Sequence, residues 1–117
     1  MTTLIEDLQA VLNPLAANGA FYGMNTLQPP QYPYISWQRI VSTPNVSLQG
    51  PSLAQSTRVQ MNIYAQRISD AAAIETALEA AMQACSIVNV PVLSMDLYEP
   101  EVRAFRVIKE YSCWASN

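Results

Sequence analysis

The run Val102–Trp114 alternates regularly enough to constrain the whole chain. One set of positions holds Phe105, Val107, Tyr111 and Cys113; the other holds Ala104, Arg106, Ile108, Glu110, Ser112 and Trp114. Successive strand residues point to opposite faces, so this is a strand with one apolar face and one mixed, partly charged face. Such a strand suits a sheet that is covered on one side and meets water or another protein on the other. It is entered through an acidic, proline-marked turn, Glu99-Pro100-Glu101. With 117 residues in all, a single domain spanning 1–117 is expected, and the sheet is expected to close on this strand.

Upstream, Thr3 and Glu6 have capping-box spacing, and Leu4, Leu8, Val11, Leu12 and Leu15 recur at helical intervals. Asn13-Pro14 and Asn18-Gly19 end that helix, and a short strand is expected at Ala20–Met24. Pro29-Pro30-Gln31-Tyr32-Pro33 is a stiff connector into a strand from Tyr34 to Ser42, with Ile35, Trp37, Arg39 and Val41 on one face. Ser56–Gln66 is the next strand, with Val59, Met61, Ile63 and Ala65 inward. Between them, Thr43–Gln55 carries no charge, two prolines and a Gly50-Pro51 turn signal; it reads as a long loop at the tip of a hairpin. Ser69 is the expected cap of a second helix with Asp70 in its first turn. Its buried stripe is Ile74, Ala77, Leu78, Ala81, Met82 and Cys85, with Glu75 and Glu79 on its wet flank. Val88–Val92 is ambiguous, and Val92–Leu97 reads as a strand. The order α, β, β, β, α, β, β gives an α+β fold: one mostly antiparallel sheet of four to five strands with two helices on one face.

Chemistry is sparse. The chain has no histidine, which removes the commonest general base and metal ligand. With three glycines it holds neither phosphate-cradling loop. Asp96, Glu99 and Glu101 fall close together, but around a turn, where solvated carboxylates are the ordinary outcome. Lys109 reads as a surface charge on an amphipathic strand. No catalytic set, metal site or cofactor is therefore expected. Cys85 and Cys113 both sit on apolar faces and read as buried reduced thiols; a disulfide is the alternative and would need an oxidising compartment.

Charged residues make up 13% of the chain, about half of what soluble chains commonly carry, so uncharged surface is left over for subunit contacts. The net charge is −3 and the six Lys and Arg are scattered, which argues against a dedicated nucleic-acid binder. The N-terminus has neither a cationic start nor a continuous apolar stretch, and no apolar run is long enough for a membrane span, so a cytosolic site of synthesis is expected.

Several segments together resemble a known family. They are Tyr34-Ile35-Ser36-Trp37-Gln38-Arg39-Ile40 with Thr43-Pro44, then Ser47-Leu48-Gln49-Gly50-Pro51 and Arg58-Val59-Gln60-Met61-Asn62-Ile63-Tyr64-Ala65. Asp96-Leu97-Tyr98-Glu99-Pro100, Arg103-Ala104-Phe105-Arg106-Val107, Ser112 and Trp114 complete the set. In order and spacing they are similar to the tail completion, or tail terminator, proteins of long-tailed phages and prophages. Cys113 and the proline-rich Gln28–Pro33 stretch depart from the pattern. The resemblance implies a structural virion protein of the tail that forms a ring, hexameric in the family. Such a ring caps the head-proximal end of the tail tube, stops its polymerisation and meets the head connector. Its implied partners are itself, the tail tube protein and the head connector, with DNA passing through the lumen and no sequence-specific binding. Within it, Leu48, Gln49, Gly50, Pro51 and Leu53 are expected to touch a neighbour or the tube end. Glu101, Arg103, Arg106 and Trp114 are expected at subunit contacts or on the lumen. The competing expectation is a standalone α+β module that binds a peptide or small ligand on its sheet.

Overall fold

A computed structural model describes residues 3–23, 31–47 and 50–114, and within 41–55 the backbone only. Helix α1 (Leu4–Leu12) leads, followed by a 3-10 turn (Asn13–Leu15), β1 (Ala20–Tyr22), β2 (Tyr34–Ser47) and β3 (Gly50–Ala65). Then come α2 (Ile68–Ala84), β4 (Val88–Glu99) and β5 (Ala104–Trp114). The five strands form one sheet in the order β1-β2-β3-β5-β4. Only β1 and β2 run parallel; every other neighbouring pair is antiparallel. The expected α+β class with a mostly antiparallel sheet is the one adopted.

Helix α1 begins as its sequence dictates. The Thr3 hydroxyl accepts from the Glu6 amide at 3.1 Å while the Glu6 carboxylate accepts from the Thr3 amide at 3.1 Å. Leu8 and Leu12 are fully buried. Between them Gln9 ties the helix to two strands: its Oε1 accepts from the Trp37 indole N–H at 2.7 Å, and its Nε2 donates to the Ala20 carbonyl at 2.8 Å. Asn13 Oδ1 then accepts from the Ala20 amide at 3.0 Å. Gly19, at φ +84°, makes this close return possible, because a Cβ there would lie 2.8 Å from Asn13 Oδ1.

Both helices contribute to a single core on one face of the sheet. Ala71, Ile74, Leu78 and Met82 of α2 join Leu8 and Leu12 against Ile35, Trp37, Val59, Met61, Ile63, Ala65, Val107, Tyr111 and Cys113. The register explains the set: Ile35 pairs with Ile63 and Trp37 with Met61 across β2–β3, while Ile63 pairs with Val107 and Val59 with Tyr111 across β3–β5. Period-two alternation in three adjacent strands thus lines up one continuous apolar face.

Four expectations are corrected. Residues 43–47 and 50–55 are strand, not loop: the β2–β3 ladder continues through Thr43↔Ser56, Pro44↔Gln55, Val46↔Pro51 and Ser47↔Gly50; Leu48 and Gln49 lie outside the described residues. Paired strands satisfy backbone groups that a long loop would leave to water. Helix α2 starts at Ile68 with Arg67 as its cap residue and no side-chain cap, so Ser69 lies inside the first turn. Ala77 is exposed. The largest correction concerns Lys109. It pairs with Met61 on the helix-covered face and is 4% exposed. Its Nζ donates to Glu79 at 2.9 Å, to Glu75 at 3.2 Å and to the Ser94 hydroxyl at 3.4 Å, which uses all three donors. Glu75 and Glu79, one helical turn apart, are therefore the jaws of an ionic clasp between α2 and β5, with Glu79 still on the wet side of it.

Burial alone would lower the Lys109 pKa, but the hydrogen bonds and charges of Glu79 and Glu75 outweigh it and raise it. Lys109→Ala removes the clasp and a buried aliphatic stem, and should destabilise the fold by about 2–4 kcal/mol. Lys109→Met keeps the stem and should cost less, since Glu79 is half exposed and can turn to water. Urea midpoints of the two variants check the order.

A second expectation concerns alkaline pH. Burial pushes the Cys113 thiol up from 9.0 to about 12, helped by nearby Cys85. Burial, then the neighbouring Tyr64, raises Tyr34 from 10.0 to about 12. In both cases the unfolded chain releases its proton first, so the stabilisation is complete below the unfolded pKa and is lost as pH rises towards the folded one. The Lys109 clasp fails in the same direction, above the ordinary lysine value of 10.5. Urea midpoints should begin to fall above pH 9.0 and keep falling to about 12. Cys113→Ala should move the onset to about pH 10.0, where Tyr34 takes over.

Candidate assembly surface

The face of the sheet away from the helices is built from the other half of each alternation. Tyr34 and Tyr64 stack there with ring centroids 4.8 Å apart. The Arg106 guanidinium lies 5.8 Å from the Tyr64 centroid, donates through Nε to Asn62 Oδ1 at 3.0 Å and pairs with Glu99 at 3.2 Å. Asn62 Nδ2 points to the Ser36 hydroxyl and carbonyl, both at 3.5 Å. Ser36 and Asn62 are buried, as are Ala104 and Ile108 on the same face. A polar line thus runs across four strands, Ser36–Asn62–Arg106–Glu99, on a face that is dry at its centre. Charge-assisted hydrogen bonds are the strong links in such a line, so Arg106 is its hub.

At one edge the character changes. β4 is exposed along nearly its whole length. Its register with β5 places Val88, Val90, Leu93, Met95 and Leu97 opposite Trp114, Ser112, Glu110, Ile108 and Arg106, in one row on the open face. All five are exposed, and so are Val92 and Tyr98. Pro91 withholds an N–H from the ladder, and the register shifts between Pro91 and Leu93. An exposed apolar row on an edge strand is the usual mark of a surface that meets another chain.

The residues singled out from sequence fall in separate places. Leu48 and Gln49 lie outside the described residues. Gly50, Pro51 and Leu53 belong to β3, beyond the point where β5 begins to pair with it at Ser56. Glu101 and Arg103 lie in the exposed turn between β4 and β5, where Arg103 adopts φ 53°. Arg106 does pair across that hairpin with Glu99; among the described residues Arg103 and Glu101 form no ion pair. Trp114 is half-buried and sits at the far end of the sheet, between Ser56 and Val88. The structure therefore does not gather Glu101, Arg103 and Trp114 into one site. Sequence reasoning missed the β4 row. Its signal was the charge-free run Val88–Met95 with a proline inside it, which marks an edge strand.

Among the described residues, no three Cys, Asp or Glu side chains converge as a metal would require. Both cysteines are free thiols; Cys113 is buried, and the part-buried Cys85 donates to the Met82 carbonyl at 3.3 Å. Among the described residues, no helix is long and apolar enough to cross a membrane.

The family model described as tail completion protein gp17 matches residues 4–116. The chain belongs to that family. This tail completion protein is thus a structural component of a phage-type tail, and it works in contact with other virion proteins. Its fold also matches a chain in the virion of a native gene transfer agent particle, with a TM-score of 0.69 and 13% identity over 98% of this chain and 92% of that one. A search of curated protein sequences finds no match.

The polar line gives a direct test of what holds the open face of the tail completion protein together. Arg106→Ala leaves the buried Asn62 oxygen without its donor and should cost about 1–3 kcal/mol in chemical denaturation. Arg106→Lys keeps a charge but not the fork, and should recover only part of that loss.

Proposed function

We propose that the tail completion protein forms a ring, hexameric as in the resemblance drawn from its sequence, that caps the head-proximal end of the tail tube. In this role it ends tube polymerisation and joins the tail to the head connector, acting by contact and not by catalysis. Its partners are other copies of itself, the tail tube protein and the connector, with DNA passing through the lumen. The observation that carries this reading is the family match over residues 4–116. The uncovered apolar row of β4 supports it, because a ring subunit must hold back surface for its neighbours. Leu48, Gln49, Gly50, Pro51 and Leu53 are proposed to touch a neighbour or the tube end. Glu101, Arg103, Arg106 and Trp114 are proposed at subunit contacts or on the lumen.

Sedimentation across concentration, with and without the tube protein, should show a closed oligomer of fixed size. A strict monomer that neither caps nor binds tubes would sink the proposal. Replacing Leu48 and Leu53 together with Asp should leave the far-ultraviolet circular dichroism unchanged and abolish capping. Infectious tails completed by that variant would show these residues to be passive.

A further inference from the structure

On the helix-covered side of the sheet, where α2 ends and β4 begins, a cavity of about 560 Å³ opens over Tyr111 of β5. Met82, Ile87 and Pro91 give it an apolar wall, and Glu79, Asn89 and Tyr111 a polar one. Its size is that of a small-ligand site. Glu79 is its one charged lining residue among the described residues, and none of the six basic residues lines it. Helix α2 also has no basic residue in its last turn, where the helix dipole favours a cation.

The polar atoms left over in this wall can all accept a hydrogen bond. Asn89 Nδ2 donates to the Met82 carbonyl at 2.9 Å and to the Ile87 carbonyl at 2.8 Å. Both amide hydrogens are used, and among the described residues Oδ1 is left without a donor. Glu79 gives Oε2 to Lys109 at 2.9 Å, and its Oε1 has no partner among the described residues. Tyr111 is only 3% exposed, yet its hydroxyl makes no hydrogen bond among the described residues. Buried hydroxyls are normally paired, so this one calls for a partner. Burial raises the Tyr111 pKa, which keeps the group a neutral phenol.

We propose that this cavity binds an alkylguanidinium or alkylammonium group, the kind that arginine and lysine side chains carry. Its charge pairs with Glu79 Oε1, and its N–H groups donate to Asn89 Oδ1 and to the Tyr111 hydroxyl. Its aliphatic stem lies against Met82, Ile87 and Pro91. A guest made of N–H donors suits a wall of acceptors. A carboxylate or phosphate does not, because it would meet Glu79 as a like charge. The site is independent of the ring reading: it would bind its guest on a single copy of the chain.

Titration with n-butylguanidinium, followed through the methyl signals of Met82 and Ile87, tests the proposal. Saturable one-to-one binding is expected, and butylurea, a neutral counterpart of the same shape, should bind at least about tenfold more weakly. Equal binding of the two overturns the charge pairing, and shifts that never saturate overturn the site. Glu79→Gln should lower the affinity at least about tenfold. Glu75→Gln removes the same charge from the Lys109 clasp but does not touch the cavity, and should change the affinity little. Equal losses in the two variants would trace the effect to the clasp and overturn the contact. Tyr111→Phe should weaken binding about threefold to tenfold. It should also leave the urea midpoint of the free protein level or higher, because it removes a hydroxyl without a partner. A lower midpoint would show that the hydroxyl is already satisfied and would overturn its role. A capped peptide with a single arginine separates the sources of the cation. Binding at least as tight as that of butylguanidinium assigns the site to a side chain of another protein, and weaker binding assigns it to a free small cation.

Discussion

Two helices cannot cover five strands, and the architecture follows from that shortage. At ~4.8 Å between strands and ~10 Å per helix, α1 and α2 shield roughly four strands' width on one face. The covered strands hold the core of Trp37, Met61, Ile63 and Val107. β4 falls outside the cover and is exposed along nearly its whole length. What places the cover is the Lys109 clasp. By fixing Glu75 and Glu79 of α2 over β5, it sets the helix above β3 and β5 and leaves the last strand bare.

The two faces of the sheet are stabilised by different physics. The helix side is close-packed hydrocarbon with one fully satisfied ammonium, held by two carboxylates and a hydroxyl. The open side is held by cross-strand contacts within the sheet: a tyrosine stack, a guanidinium shared between Asn62 and Glu99, and an asparagine facing Ser36. Because that side is already satisfied at its centre, it needs no covering layer. The uncovered apolar surface lies outward, along the β4 edge. A tail protein that works in contact with other virion proteins has a use for such an edge.

Much of this was legible in the residues. The capping box at Thr3, the inward row Val59, Met61, Ile63 and Ala65, and the faces of the closing strand all emerge from local spacing, because strand and helix periods are set by the backbone. Strand residues 43–47 and 50–55 were misread because proline, glycine and a lack of charge signal a loop, while the ladder that joins them is a contact between two strands that no single-strand pattern shows. Lys109 was misread for a related reason. Alternation assigns it to the apolar face, but only the position of α2 supplies the two carboxylates that let a charge stay there.

Of the interface residues chosen from sequence, Arg106 proved to be the centre of a network within the subunit, where it orders its own sheet. The β4 row was passed over because an edge strand exposes both faces and so shows no clean alternation. The chain by itself determined its class, the order of its elements, its apolar face and its freedom from histidine chemistry, since these follow from composition and short-range period. Which strand would be left uncovered, which lysine would be buried, and how far the hairpin would project were decided only in three dimensions. Those outcomes depend on how elements distant in sequence meet, and no local pattern encodes that geometry.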